Sequence, residues 1–171
     1  MGSWVSLLGM TTLKIGDKAP SFKLESTQGI IDLSHHQGSW TVLYFYPKDN
    51  TPGCTAQACN FRDALPGMNA KVLGVSADDM QSHQKFEGDF GLPFPLVSDP
   101  DNAMAKAYGA FGTKQMYGKE YEGIIRSTFI IDPKGNIADA RYNVKADQDT
   151  DIVQKTLESL QQAGGNVGEH A

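Results

Sequence analysis

The chain has 171 residues, enough for one domain that buries about 70% of its extended surface without covalent staples. Its 15 Lys and Arg against 20 Asp and Glu leave a net charge of −5 with no basic cluster, which argues against nucleic acid or anionic membrane and points to small molecules and proteins as partners. Two cysteines are too few for a disulfide scaffold, so they are read for their chemistry.

Residues 1–12 contain a short apolar patch without a basic flank, a poor secretory signal, and no segment reaches membrane-spanning length. Cytoplasmic residence is therefore the expectation. Met10 offers an alternative start, with residues 1–9 either an upstream start or a native extension, and residues 13–163 are expected to form the domain. Phe22–Glu25 and Ile30–Leu33, joined by Ser26-Thr27-Gln28-Gly29, predict an N-terminal β-hairpin. His35 and His36 follow, and without a Cys-x-x-Cys or Glu-x-x-His nearby they read as solvent-exposed loop residues rather than metal ligands.

Trp40–Tyr46 is continuously apolar, β-branched and aromatic, and is closed by Pro47, the pattern of a strand buried on both faces. Thr51-Pro52 then signals a helix start, with a hydroxyl at the N-cap and proline at the first helical position. Cys54 falls in the first turn, where unsatisfied backbone N–H groups and the positive end of the helix dipole favour a thiolate over a thiol. Cys54, Ala58, Phe61 and Leu65 form one apolar stripe, while Cys59 lies near the polar side. On an intact helix a five-residue step spans ~7.5 Å of rise and about 500° of rotation, so the two Cα atoms stand ~8.7 Å apart, beyond the roughly 7 Å limit for an unstrained disulfide. A bond between Cys54 and Cys59 therefore requires the first turns to unwind, and the spacing predicts a switch between a folded dithiol and a locally unfolded disulfide.

Pro66-Gly67 ends this helix, and Val72–Ser76 predicts a second buried strand. Asp78 reads as the N-cap of a helix running to Phe90, with Phe86 and Phe90 inward and His83 on the surface. The resulting βαβα unit implies parallel strands. Leu92–Asp101 predicts a short extended segment and a turn, Asn102–Tyr108 a short helix ended by Gly109, and Gly109–Gly118 a surface loop in which Phe111, Met116 and Tyr117 pack or line an entrance. Ile124–Ile131 and Ile137–Tyr142 flank the turn Asp132–Asn136 and predict an antiparallel hairpin. Arg126 stands inside that apolar strand, where a guanidinium needs an anion, either a thiolate or a structural carboxylate. Asp149 or Thr150 caps a last helix with Ile152, Val153, Thr156, Leu157 and Leu160 inward, ended at Gly164-Gly165 before a flexible tail over residues 164–171.

Pro47-x-x-x-Thr51-x-x-Cys54 resembles the peroxiredoxin active-site motif, and Thr51-Pro52-Gly53-Cys54-Thr55-x-x-Ala58-Cys59 resembles the PrxQ, or bacterioferritin comigratory protein, subfamily. The similarity extends through Asp17–Phe22, Val72–Ser76, Pro95–Asp99 and Arg126–Asp132. It implies an α/β, thioredoxin-like fold with a central mixed β-sheet flanked by helices and an N-terminal hairpin. By that resemblance Cys54 is the peroxidatic cysteine, Thr51 the hydroxyl that orients the peroxide, Pro47 the residue that shields the pocket, Arg126 the active-site arginine and Cys59 the resolving cysteine. Gln57 stands where many members carry Glu. The implied activity is reduction of hydrogen peroxide and alkyl hydroperoxides by a monomer recycled by thioredoxin or a glutaredoxin, with no metal, flavin or haem. A thiol–disulfide oxidoreductase on the same fold is the rival, but such proteins normally place two residues between their cysteines and this chain places four.

Overall fold

The structure, a computed structural model, describes residues 12–116 and 118–170. The expected N-terminal extension falls almost wholly outside the described residues, as does Tyr117. Two short strands, β1 (Lys23–Ser26) and β2 (Gly29–Asp32), form the N-terminal hairpin. The apolar run ahead of the cysteines forms β3 (Thr41–Phe45), buried at every residue. After it come helix α1 (Pro52–Ala64), β4 (Lys71–Ser76), α2 (Met80–Phe90), β5 (Leu96–Ser98) and α3 (Ala103–Ala107). The chain continues through β6 (Phe111–Met116), β7 (Lys119–Ile124), β8 (Ser127–Ile131), β9 (Ile137–Tyr142) and α4 (Asp149–His170).

Seven strands form one mixed sheet in the order β2-β1-β5-β4-β3-β8-β9. Strand β3 runs parallel to β4, as the βαβ crossover requires, and antiparallel to β8, with Phe45 opposite Ser127. Alternation along β3 divides the interior. Val42, Tyr44 and Tyr46 pack with Cys54, Ala58 and Phe61 of α1, Phe86 of α2, and Val153 and Leu157 of α4. Leu43 and Phe45 face the other way, against Met104 and Ala105 of α3, Tyr108 and Phe129. The segment Pro47–Cys54 therefore begins at the carboxyl end of a parallel strand, where the chain turns from sheet to helix.

Several expectations are corrected. Gly109–Gly118 is not a loop: β6 pairs with β7 over six residues, turning at Gly118, whose φ of 78° favours glycine. Phe111 packs on the core beneath the Lys106 ammonium, so its role is packing. The predicted strand Ile124–Ile131 is broken at Ile125-Arg126, where the chain passes from the two-stranded sheet into the large one. The α2 N-cap is Asp79, which accepts from Ser82 N, and Asp78 instead accepts from Asp49 N and the Ser76 hydroxyl. His83 is fully buried rather than on the surface. His36 is half-buried, its charged form disfavoured by burial, while His35 is exposed. Ile152 faces solvent, and α4 runs on through Gly164-Gly165 to His170, since glycine costs a helix only about 1 kcal/mol and does not by itself end it.

Candidate active site

Thr51 is the N-cap of α1 in extended conformation, and Pro52 occupies the first helical position. The Thr51 hydroxyl does not cap the helix; it donates to the Lys48 carbonyl at 3.0 Å, which leaves its oxygen lone pairs available as acceptors beside the first turn. Cys54 is the third helical residue and is 1% exposed. Arg126, half-buried on the segment between β7 and β8, donates from Nη2 to Cys54 Sγ at 3.4 Å. Leaving the strand ladder frees that guanidinium to turn toward the helix, while the Arg126 carbonyl stays fixed by Val144 N at 2.9 Å. Gly53 leaves room for the approach: a Cβ there would stand 3.3 Å from Arg126 Nη2, a tight contact.

Thr51, Cys54 and Arg126 are thus brought together at one helix terminus. Pro47 closes β3 and is exposed at the start of the turn that leads to them. Cys59 lies half-buried further along the same continuous helix, and both cysteines are thiols. With α1 intact, the helical geometry keeps the two sulfurs from bonding.

Gln57 was not marked by its sequence as a site residue, yet it is fully buried and central. Its Oε1 accepts from Arg126 Nη1 at 2.6 Å, and its Nε2 donates to Asp149 Oδ2 at 2.9 Å. Asp149 also accepts from the Thr128 hydroxyl at 2.6 Å, and burial pushes its carboxyl above the ordinary value. Lys114 of β6 adds a second cation: burial and then the Arg126 charge lower its pKa, while a Cys54 thiolate acts in the opposite direction. Beneath the thiol, Tyr44 stacks on Phe61 with centroids 4.8 Å apart, and burial followed by the charge of Cys54 keeps its hydroxyl protonated.

The turn entering α1 is anchored from below. His83 Nδ1 lies 2.7 Å from Asp49 Oδ2, and His83 Nε2 lies 3.0 Å from the Val97 carbonyl. Tyr46 and Ser82 donate hydroxyls to the same carboxylate at 2.5 and 2.8 Å. Asp49, Asp78 and His83 bring three ligand atoms within 4.8 Å of one another. The His83–Asp49 separation of 2.7 Å is a hydrogen bond, however, shorter than two ligands about 2.1 Å from a shared metal would adopt. The group is a hydrogen-bonded anchor.

A sulfur held under a guanidinium at a helix start can attack an electrophile in line and have the developing charge stabilised. The cavities of about 220 Å³, lined by residues such as Leu33 and Thr41, and about 510 Å³, lined by residues such as Leu65 and Phe94, do not include Cys54 in their linings. Residues 15–140 match the AhpC/TSA family. The chain is 42% identical over 153 residues to peroxiredoxin Bcp of Bacillus subtilis, covering 87% of this chain and 96% of the relative. A solved structure of Xanthomonas campestris bacterioferritin comigratory protein, concerned with its alkyl peroxide reduction activity, superposes with a TM-score of 0.76 at 42% identity, covering 81% of this chain and 90% of the other. A cysteine-to-serine variant of Xylella fastidiosa PrxQ gives 0.81 at 38% identity, with 87% and 98% covered. These are thioredoxin-fold peroxiredoxins, and with such coverage and identity the chain belongs to the AhpC/TSA family, among its Bcp/PrxQ thiol peroxidases.

Proposed function

We propose that Cys54 is the peroxidatic cysteine and Cys59 the resolving one. The observation that carries the reading is the 3.4 Å contact between Arg126 Nη2 and a sulfur in the first turn of α1. The Cys54 thiolate attacks the distal oxygen of a hydroperoxide; the S–O bond forms as the O–O bond breaks, and the departing alkoxide or hydroxide leaves as alcohol or water after taking a proton. Thr51 orients the peroxide through its hydroxyl, Arg126 stabilises the charge in transit, and Pro47 shields the approach. The first turns of α1 then unwind, and Cys59 attacks the sulfenic sulfur, forming the disulfide and releasing water. A thioredoxin or glutaredoxin dithiol restores both thiols. Hydrogen peroxide and small alkyl hydroperoxides are the substrates, and the protein acts as a cytoplasmic monomer. The near-complete burial of Cys54 favours a small peroxide over a protein disulfide as oxidant.

Stopped-flow mixing of reduced protein with hydroperoxides tests this. Cys54→Ser should abolish peroxide consumption. Cys59→Ser should keep the first fast step but accumulate a sulfenic acid that over-oxidises. Undiminished turnover of Cys59→Ser with thioredoxin would remove Cys59 from its role. Oxidation should also raise amide exchange across residues 54–60, and an unchanged pattern would exclude unwinding.

A further inference from the structure

The guanidinium that meets Cys54 is held in place by a chain of hydrogen bonds reaching to another helix. Arg126 offers only donors, so the Gln57 oxygen must face it, and the Gln57 amide nitrogen is then directed at Asp149. Gln57 is fully buried and Asp149 is 1% exposed, so water is a poor substitute for either partner. A Glu at 57 could accept from Arg126 but would have no hydrogen to give to Asp149 unless protonated; an amide joins a cation on one side to a carboxylate on the other without a change of charge. Thr128 on β8 fixes the other partner, donating its hydroxyl to the same Asp149 oxygen.

We infer that Asp149, at the start of α4, is a positioning residue for the peroxide step: through Gln57 it fixes the orientation of Arg126 over Cys54. It touches neither sulfur nor peroxide. Its carboxylate supplies the acceptor that prevents the Gln57 amide from rotating, and a rotated amide would present N–H to a guanidinium that cannot accept. The inference rests on the reading of Cys54 as the peroxidatic residue.

The test measures the second-order rate constant of sulfenic acid formation by stopped flow in four single variants and one double. Asp149→Asn keeps an acceptor oxygen for Gln57 and should stay within about twofold of the parent. Asp149→Ala, and Asp149→Leu as a near-isosteric variant without an acceptor should the alanine variant not fold, should slow the step about five- to tenfold, the worth of one buried hydrogen bond. In an Arg126→Ala background the same Asp149 substitution should change nothing further, a non-additivity that a purely structural role would not produce. Rates for both acceptor-less variants within twofold of the parent, or a penalty that persists undiminished without Arg126, overturn the inference. Should Arg126→Ala itself leave the rate unchanged, the reading of the site fails instead, and the two failures are distinct.

Discussion

Removing the His83 ring tests how the turn before the active-site helix is held. Both ring nitrogens face acceptors: Nε2 the Val97 carbonyl at 3.0 Å, Nδ1 the Asp49 carboxylate at 2.7 Å. A carbonyl cannot donate, so Nε2 carries hydrogen toward Val97, and Nδ1 faces the Asp49 carboxyl group. The pair is almost wholly shielded, at 0% and 2% side-chain exposure. In His83→Ala the carboxylate keeps only the Tyr46 and Ser82 hydroxyls. The loss of a buried hydrogen bond at the Asp49 carboxyl group costs about 1.5–3 kcal/mol and the orphaned Val97 carbonyl ~1 kcal/mol more. Their sum reaches the roughly 3–5 kcal/mol known for breaking a buried pair from one side. For a chain of this size that lowers the melting temperature by about 10 °C. Urea unfolding of His83→Ala, Asp49→Ala and the double variant measures it, and the coupling energy should exceed about 1 kcal/mol. A loss below ~1 kcal/mol, or additive single effects, refutes the assignment of this pair as the anchor.

Arg126→Ala removes the charge-assisted bond to Sγ; about 2–3 kcal/mol corresponds to a roughly 30- to 150-fold slower sulfenic acid formation by stopped flow, and a parental rate contradicts the contact. Gly53→Ala places a Cβ 3.3 Å from Arg126 Nη2, so it should slow the same step several-fold while raising helix stability by about 0.5–1 kcal/mol; a faster or unchanged step shows that the guanidinium can give way. Burial raises the Asp149 carboxyl above 3.8, so the folded state keeps this proton to higher pH than the unfolded chain. The group's stabilising contribution is then complete below the unfolded value and is lost as pH rises through the folded one. Against Asp149→Asn, which does not titrate, the parent should lose relative stability as pH climbs from about 4; parallel urea-unfolding curves across that range contradict the shift.

Much of this was legible in the chain, and what escaped shares a cause. The buried strand β3, the crossover to β4 and the start of α1 followed from a continuous apolar run and from Thr51-Pro52, because those signals are strong and local. The β6–β7 hairpin escaped because most of β7 is exposed, so its residues show no alternation of apolar and polar side chains; only its ends, Phe111 and Ile124, reach the core. Gln57, His83 and Asp149 escaped for a different reason. Gln57 lies three residues after Cys54 and four before Phe61; His83 lies three before Phe86; Asp149 lies four before Val153. Each stands on the apolar stripe of its own helix, where periodicity alone marks it as inward. The histidine's residue type argues for the surface and the aspartate's for a cap, yet both side chains are buried, His83 at 0% and Asp149 at 1% exposure. A polar side chain on a buried stripe costs free energy unless it is paired, and here each is paired with a group that leads to the thiol or to the turn before it. The helices thus carry their conflicts between pattern and polarity where Cys54, Arg126 and the turn before α1 are brought together, which is where sequence-level consistency is expected to give way.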